Sequence, residues 1–278
     1  VRELRHHTTE HIPDPLKGTN ARSELVDLRD CWKPAVAWLA CGGPSLNDVP
    51  RAYWRERGVV SLGVNQSAAH CPTTAFTCSD PPEKFSDTIF RSAAVWKFIP
   101  ETKRGRGKGK LRTKVNGRFE WAGFGTKDCP SSFFYERSCD YEPEKFLTST
   151  GAMWGRNQAN VDKTKLPKFM CTFLLGIRIL HYLGVRLVFM AGVDFRMTPT
   201  EGYAFNQARD ENATRANNDL YRVTNRELCQ LQPHLVAAGL HVYNVNKFSA
   251  CTAFPHYPLD EALRIGRNGV PEGEPDLE

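Results

Sequence analysis

Short apolar runs alternate with polar and amphipathic stretches along the 278-residue chain. Val36-Ala37-Trp38-Leu39 is apolar at consecutive positions, Gly58–Asn65, Ala93–Ile99, Gly184–Phe195 and Gly239–Val245 are largely so, and Thr73–Asp80 is a threonine-rich run around Ala75 and Phe76. Continuous hydrophobicity, rather than strict alternation, predicts strands covered on both faces, as in a parallel sheet. Helical patterns fall between and beyond these runs, near Ser23–Asp30, Arg51–Arg57 and Ser67–His70. Others run from Leu147 to Leu183 with a break at Pro167, along a polar stretch ending near Ala238, and over Asp260–Arg264. Such alternation predicts an α/β fold: a Rossmann-like, doubly wound, mostly parallel sheet.

The pattern breaks in three places. Residues 1–34 are polar and read as an arm; 35–265 read as the Rossmann-like domain; 266–278 read as a loose acidic tail. Within the domain, residues 100–147 read as a basic, aromatic-rich insertion or lid. No apolar run reaches the ~20 residues that span a bilayer, and Val1–His7 lacks the apolar core of a signal peptide. The nine cysteines are scattered without CxxC spacing, which predicts reduced thiols in a cytoplasmic setting and no zinc ribbon. His6, His7 and His11 belong to the polar arm, and no metal centre is expected.

Net charge is +6, and it is concentrated. Lys103, Arg104, Arg106, Lys108, Lys110, Arg112 and Lys114 lie together without an intervening acid, and Phe119, Trp121, Phe124, Phe133, Phe134 and Tyr135 follow. Cations interleaved with glycines and trailed by aromatics can grip phosphates and stack bases. The same run can hold an anionic nucleotide donor, or be a solvated hairpin whose aromatics pack on the body.

Candidate chemistry collects at predicted strand ends, where open α/β sheets bind ligands. Gly42-Gly43-Pro44-Ser45 follows the first strand. Its glycines can bring backbone N–H groups close to a phosphate, with Ser45 adding a hydroxyl; a tight turn without ligand fits equally. Asn65 ends the second strand and can cap the next helix, touch a ligand, or both. Asp80 ends the third and Asp194 the fifth, each able to act as a base or, as Asp80 with its prolines, simply to turn the chain. Ser149, Thr150 and Gly151 open a predicted helix and can either cap it or hold an anion.

Several of these motifs occur in a shared order: Gly42-Gly43-Pro44-Ser45-Leu46, Asn65, Thr148-Ser149-Thr150-Gly151, Gly192-Val193-Asp194-Phe195, Gly202-Tyr203-Ala204-Phe205, then Tyr243-Asn244 and Ser249. In this the chain resembles the bacterial sialyltransferases of glycosyltransferase family forty-two and the related MptE-like 6-hydroxymethylpterin diphosphokinases, over residues 35–99 and 147–263. The resemblance implies a GT-A-like Rossmann sheet with a nucleotide over the glycine turn. Gly43, Ser45, Asn65, Ser149, Thr150 and Gly151 fall on donor-binding positions. No metal is needed by the sialyltransferases; the pterin enzymes use ATP with magnesium, which would make Asp80 and Asp194 metal ligands. The sialyltransferases' catalytic histidine falls at Tyr221 or Arg222, with no histidine nearby. Asp80 or Asp194 is then the better base, with Arg222 or the basic loop stabilising the departing phosphate. The leading expectation is a glycosyltransferase that takes a nucleotide-sugar donor without a required cofactor. Its acceptor is nucleic acid, for example a hydroxymethylated pyrimidine in DNA, and no membrane is involved. The alternatives are an ATP-dependent diphosphokinase and a non-catalytic nucleic-acid-binding protein.

Overall fold

The computed structural model describes residues 18–19, 25–32, 35–103, 109–115, 118–135, 137–138, 143–147, 153–154, 172–198, 200, 202–207 and 210–269. Its strands are β1 (Gly18–Thr19), β2 (Leu25–Val26), β3 (Ala35–Ala40), β4 (Val60–Val64), β5 (Ala75–Thr77), β6 (Trp96–Pro100), β7 (Gly109–Val115), β8 (Arg118–Phe124), β9 (Ser132–Tyr135), β10 (Arg137–Ser138), β11 (Met153–Trp154), β12 (Val185–Ala191) and β13 (His241–Asn244). Its helices are α1 (Ser67–His70), α2 (Asp87–Arg91), α3 (Thr172–Tyr182), α4 (Glu211–Ala237) and α5 (Leu259–Asn268).

The main sheet runs β13-β12-β3-β4-β5-β6-β9-β1-β2. From β13 to β9 every pairing is parallel; β1 and β2 extend that edge antiparallel. The α/β, Rossmann-like expectation therefore holds. Alternate residues feed opposite faces, as the pleat requires. Ala37 and Leu39 of β3, with Val188 and Met190 of β12, join the core under α3 and α4. Trp38 and Ala40, with Leu187, Phe189 and Ala191, join a second core under α5. On that side the buried Trp38 indole donates to the Tyr53 hydroxyl at 2.9 Å.

Several local expectations change. Arg51–Arg57 contains only a 3-10 turn, Tyr53–Arg55, ended at Glu56 in extended backbone, and the chain turns again at Gly58 with φ +94. Of the expected helix at Ser23–Asp30, the described residues 25–30 hold β2 and a turn instead, and the arm's Gly18–Thr19 is stitched into the sheet. Met153–Trp154 pairs with β10, so no helix runs on from Leu147 there. The span 100–147 is only partly an insertion. β7 and β8 form an antiparallel ribbon, but β9 is a buried strand of the main sheet, paired with β6. Phe133, Phe134 and Tyr135 are therefore core residues and cannot stack bases. Lys97 of β6 is fully buried, and its ammonium donates to the carbonyls of Ser92, Val95 and Pro130, tying the β6–β9 connection. α5 continues past the expected domain end to Asn268.

Among the described residues no helix is long and apolar enough to cross a membrane. Cys31, Cys41, Cys71, Cys78, Cys129, Cys229 and Cys251 are free thiols.

The core also sets a pH effect. His181 closes α3, and burial together with Arg186 and Arg178 pushes its imidazole down from 6.5 to about 4. Between these values the unfolded chain binds more protons than the folded one, so stability rises with pH through that window. Lowering pH from 6.5 to 4 should remove stability that is fully present above 6.5. With the ring partly exposed, the share due to His181 is about 1–2 kcal/mol. Denaturant melts of His181→Gln should lack that share; an unchanged pH slope would remove His181 as its source.

Candidate functional site

From β3 the chain adds β4, β5 and β6 outward on one side, then returns through β12 to the other side of β3. The connections that follow β3 and β12 thus lead in opposite directions along the sheet, to β4 and to β13. Such a switch point, at the carboxyl ends of the strands, is where open α/β sheets accept ligands. A cleft of about 720 Å³ lies there, lined by Gly42, Gly43, Asn65, Asp80, Asp194 and Tyr221 among others. Its volume is in the range of small-molecule sites.

Asp194 is the best-supported polar group in the cleft. One carboxylate oxygen accepts the Ser45 N–H at 3.2 Å, and the other accepts the Asn246 amide. Its own carbonyl accepts from the Ala250 N–H at 2.9 Å. Burial raises its carboxyl above the ordinary 3.8; the Ser45 and Asn246 hydrogen bonds oppose the rise, and Asp48 adds to it. Beneath it, the Val193 carbonyl accepts from the Asn244 amide at 2.9 Å and from the Ser249 hydroxyl at 2.6 Å. The late Tyr243-Asn244 and Ser249 motif therefore holds the loop that carries Asp194.

Two backbone N–H groups of the glycine turn are already engaged within the protein. The Gly43 N–H donates to the Gly192 carbonyl at 2.8 Å, the Ser45 N–H to Asp194, and Pro44 has none to give. The chain then enters a 3-10 turn, Pro44–Asp48, with no α-helix to supply a strong dipole. A Cβ on Gly43 would lie 1.9 Å from a carboxylate oxygen of Asp194 and 2.7 Å from the Gly192 carbonyl oxygen. Gly43 is thus small because two strand ends close on it. Ser45 is buried and supports Asp194 rather than lining the cleft.

Asn65 has left-handed backbone, φ +56. Its N–H donates to the Thr77 carbonyl at 3.0 Å. The carboxamide does not cap α1; its oxygen is buried in the cleft wall with no hydrogen-bond partner. An acceptor so placed suits a ligand hydroxyl or amine and repels a phosphate oxygen.

Aromatic pairs flank these groups. Phe195 stacks on Tyr221 with centroids 5.0 Å apart and planes at 13°. Phe195 too is left-handed, φ +51, an uncommon conformation for a bulky residue that tends to collect at functional sites. Tyr203 and Phe205 stack at 5.3 Å. That pair is pinned over the glycine turn: the Ala204 N–H donates to the Gly42 carbonyl at 2.9 Å, and the Asn47 amide to the Ala204 carbonyl at 3.2 Å. His70 completes the clasp through the Asn47 amide oxygen at 2.8 Å.

The remaining predicted residues scatter. Asp80 lines the cleft but is exposed, 3.6 Å from the Lys84 ammonium. Arg222 does not line the cleft; it is exposed on α4 and paired with Asp219 at 2.6 Å. Ser149, Thr150 and Gly151, like Arg104, Arg106 and Lys108, lie outside the described residues. Lys103 is half-buried in a 3-10 turn. Lys110, Arg112 and Lys114 occupy alternate positions of β7, opposite Gly123, Trp121 and Phe119 of β8. The strand period sets these positions on one face of the ribbon, and β7 lies against the turn Pro82–Lys84 at the cleft wall. Among the described residues no three His, Cys, Asp or Glu side chains are grouped to hold a metal ion. The sequence reading missed Asn246, Arg196 and Lys84; an Asn-x-Asn just past a strand end was the available sign for the first.

Fold and cleft together define an α/β protein of Rossmann-like architecture with its crevice at the switch point. Comparison with family models, curated proteins and solved structures returned no significant match.

Proposed function

We propose that the protein is a glycosyltransferase that binds a nucleotide-linked sugar in the switch-point cleft and uses Asp194 as its base. The observation that carries this reading is the Asp194 carboxylate, half-sequestered at the junction of β3 and β12 and held by Ser45 and Asn246. Asp194 takes the proton of an acceptor hydroxyl; the oxygen attacks the anomeric carbon; the carbon–oxygen bond to phosphate breaks, and the phosphate leaves with the electron pair. Asp80 is the weaker candidate, because an exposed carboxylate beside Lys84 lacks a fixed orientation. The aromatic pairs offer stacking surfaces for the donor's base, and the Asn65 carboxamide oxygen an acceptor for a ribose or sugar hydroxyl. Since the N–H groups of Gly43 and Ser45 are already bonded, the phosphates turn toward Arg196 and Lys84, both in the cleft wall. The +6 charge and the basic ribbon beside the Pro82–Lys84 turn support a polyanionic acceptor. A hydroxymethylated base in DNA, unstacked to reach the donor, fits that description.

A melting screen against CMP-, UDP- and GDP-sugars and ATP–magnesium tests the donor. One nucleotide-sugar class at about 100 times its Kd should add about 2.7 kcal/mol, or roughly 5–10 °C for a chain of this size. Stabilisation by ATP–magnesium alone would replace the reading with a diphosphokinase, and no stabilisation by any of them would remove the nucleotide.

A further inference from the structure

Among the described residues Phe248 is the most exposed large hydrophobic side chain, at 73%. A single exposed apolar residue is ordinary on a protein surface; the setting of this one is not. It sits in the turn after β13, on the same carboxyl-terminal edge of the sheet as the cleft. The turn is rigid. The Asn246 amide oxygen accepts the Phe248 N–H at 2.9 Å, the Ser249 N–H donates to the Asn246 carbonyl at 3.2 Å, and the Ser249 hydroxyl grips Val193. The other end of the same Asn246 amide donates to Asp194. One side chain thus links the backbone that carries the exposed ring to the carboxylate. Lys247 brings its ammonium within 5.0 Å of the Phe248 ring centroid.

We infer that Lys247 and Phe248 form the platform that holds an unstacked base of a single-stranded nucleic acid beside Asp194, the base on the ring and its phosphate on the ammonium. A rigid aromatic with an adjacent cation is the standard means of gripping a single strand without reading its sequence. An aromatic kept exposed by a fixed turn has no packing role to explain it. The positively charged chain favours a polyanion over a neutral partner. The inference deepens the acceptor side of the glycosyltransferase reading and rests on it for the identity of the reacting hydroxyl. Asn246 acts here as a positioning residue that ties the platform to the carboxylate.

Fluorescence anisotropy with a labelled oligothymidylate of about 12 nucleotides tests it. Phe248→Ala should weaken binding roughly 5- to 100-fold, while Phe248→Trp, which restores a stacking face, should bind within about threefold of wild type. Lys247→Gln should lower the slope of log affinity against log salt by about 0.7. All three should keep the melting temperature and the donor-induced shift of the parent protein. Wild-type affinity in Phe248→Ala would overturn the inference. So would a change from dimer to monomer in Phe248→Ala with oligonucleotide binding intact, which would make the ring a self-association contact. If no nucleotide sugar stabilises the protein yet Phe248→Ala still loses the strand, the donor reading fails and the platform stands; a donor shift with no effect of Phe248 leaves the reverse.

Discussion

Asp194→Asn should cut turnover by about 10²–10⁴-fold while leaving the protein folded and able to bind its donor. The measurement is release of free nucleotide from whichever nucleotide-linked donor gives the largest melting shift, with and without acceptor. The variant keeps the shape of the side chain and removes its capacity to take a proton. It also disturbs the local hydrogen bonds, because one new NH₂ must face either the Ser45 N–H or the Asn246 amide, both donors. A mismatch of that kind costs about 1–3 kcal/mol. Against it stands the relief of no longer burying a charge, since burial is what lifts the Asp194 carboxyl. The folded protein binds that proton more tightly than the unfolded chain does, so at neutral pH the charged carboxylate is a net burden on stability. The two effects oppose, and melting should move by only a few degrees. The wild-type rate should fall as pH drops through the raised value, because the protonated carboxyl cannot accept a second proton. Activity in Asp194→Asn within tenfold of wild type would exclude the residue as the base.

The strands were legible because their burial on both faces leaves unbroken apolar runs, as at positions 36–39 and 187–191. β9 was not. Four residues of Ser-Phe-Phe-Tyr in an aromatic-rich stretch look the same whether they cover a ligand or fill a core, and only pairing with β6 decides. Strand-end logic found Asn65 and Asp194 because the carboxyl edge of a parallel sheet is fixed by topology. It could not say what the glycines approach. Small residues mark a close approach, and at Gly43 the approaching groups are the Gly192 carbonyl and the Asp194 carboxylate. Tyr221 and Arg222 were equally eligible by counting from the late Tyr-Asn motif. One helical step of about 100° turns the first toward the cleft and the second toward solvent. Asn246 stands 52 positions from Asp194, and no local pattern announces a hydrogen bond over that separation.

Gly43→Ala should be among the most damaging single substitutions in the chain, for a reason unrelated to backbone freedom. Gly43 has φ −70 and ψ 160, which alanine adopts without strain. The obstacle is space: the new methyl would lie 1.9 Å from an Asp194 oxygen, 2.9 Å from its Cγ and 2.7 Å from the Gly192 carbonyl oxygen. Asp194 cannot simply rotate away, because doing so abandons the Ser45 N–H and Asn246 and strands a buried donor. Nor can Gly192 retreat. It is itself left-handed, φ +72, with its own would-be Cβ 2.4 Å from the Cys41 carbonyl oxygen. The ends of β3 and β12 are therefore locked against each other, and one methyl must pry them apart. Overpacking of this sort costs about 2–4 kcal/mol, or roughly 5–15 °C in melting temperature. Gly202→Ala, where no atom lies within 4 Å of the added Cβ, should melt within about 2 °C of wild type. The surviving folded fraction of Gly43→Ala should also lose the donor shift, since moving the carboxylate alters the cleft. Asp194 and the glycine turn are one unit in this arrangement. A Gly43→Ala protein that melts normally and binds donor normally would show that the two strand ends do not meet as described, and the assignment of Asp194 as the base would fall with them.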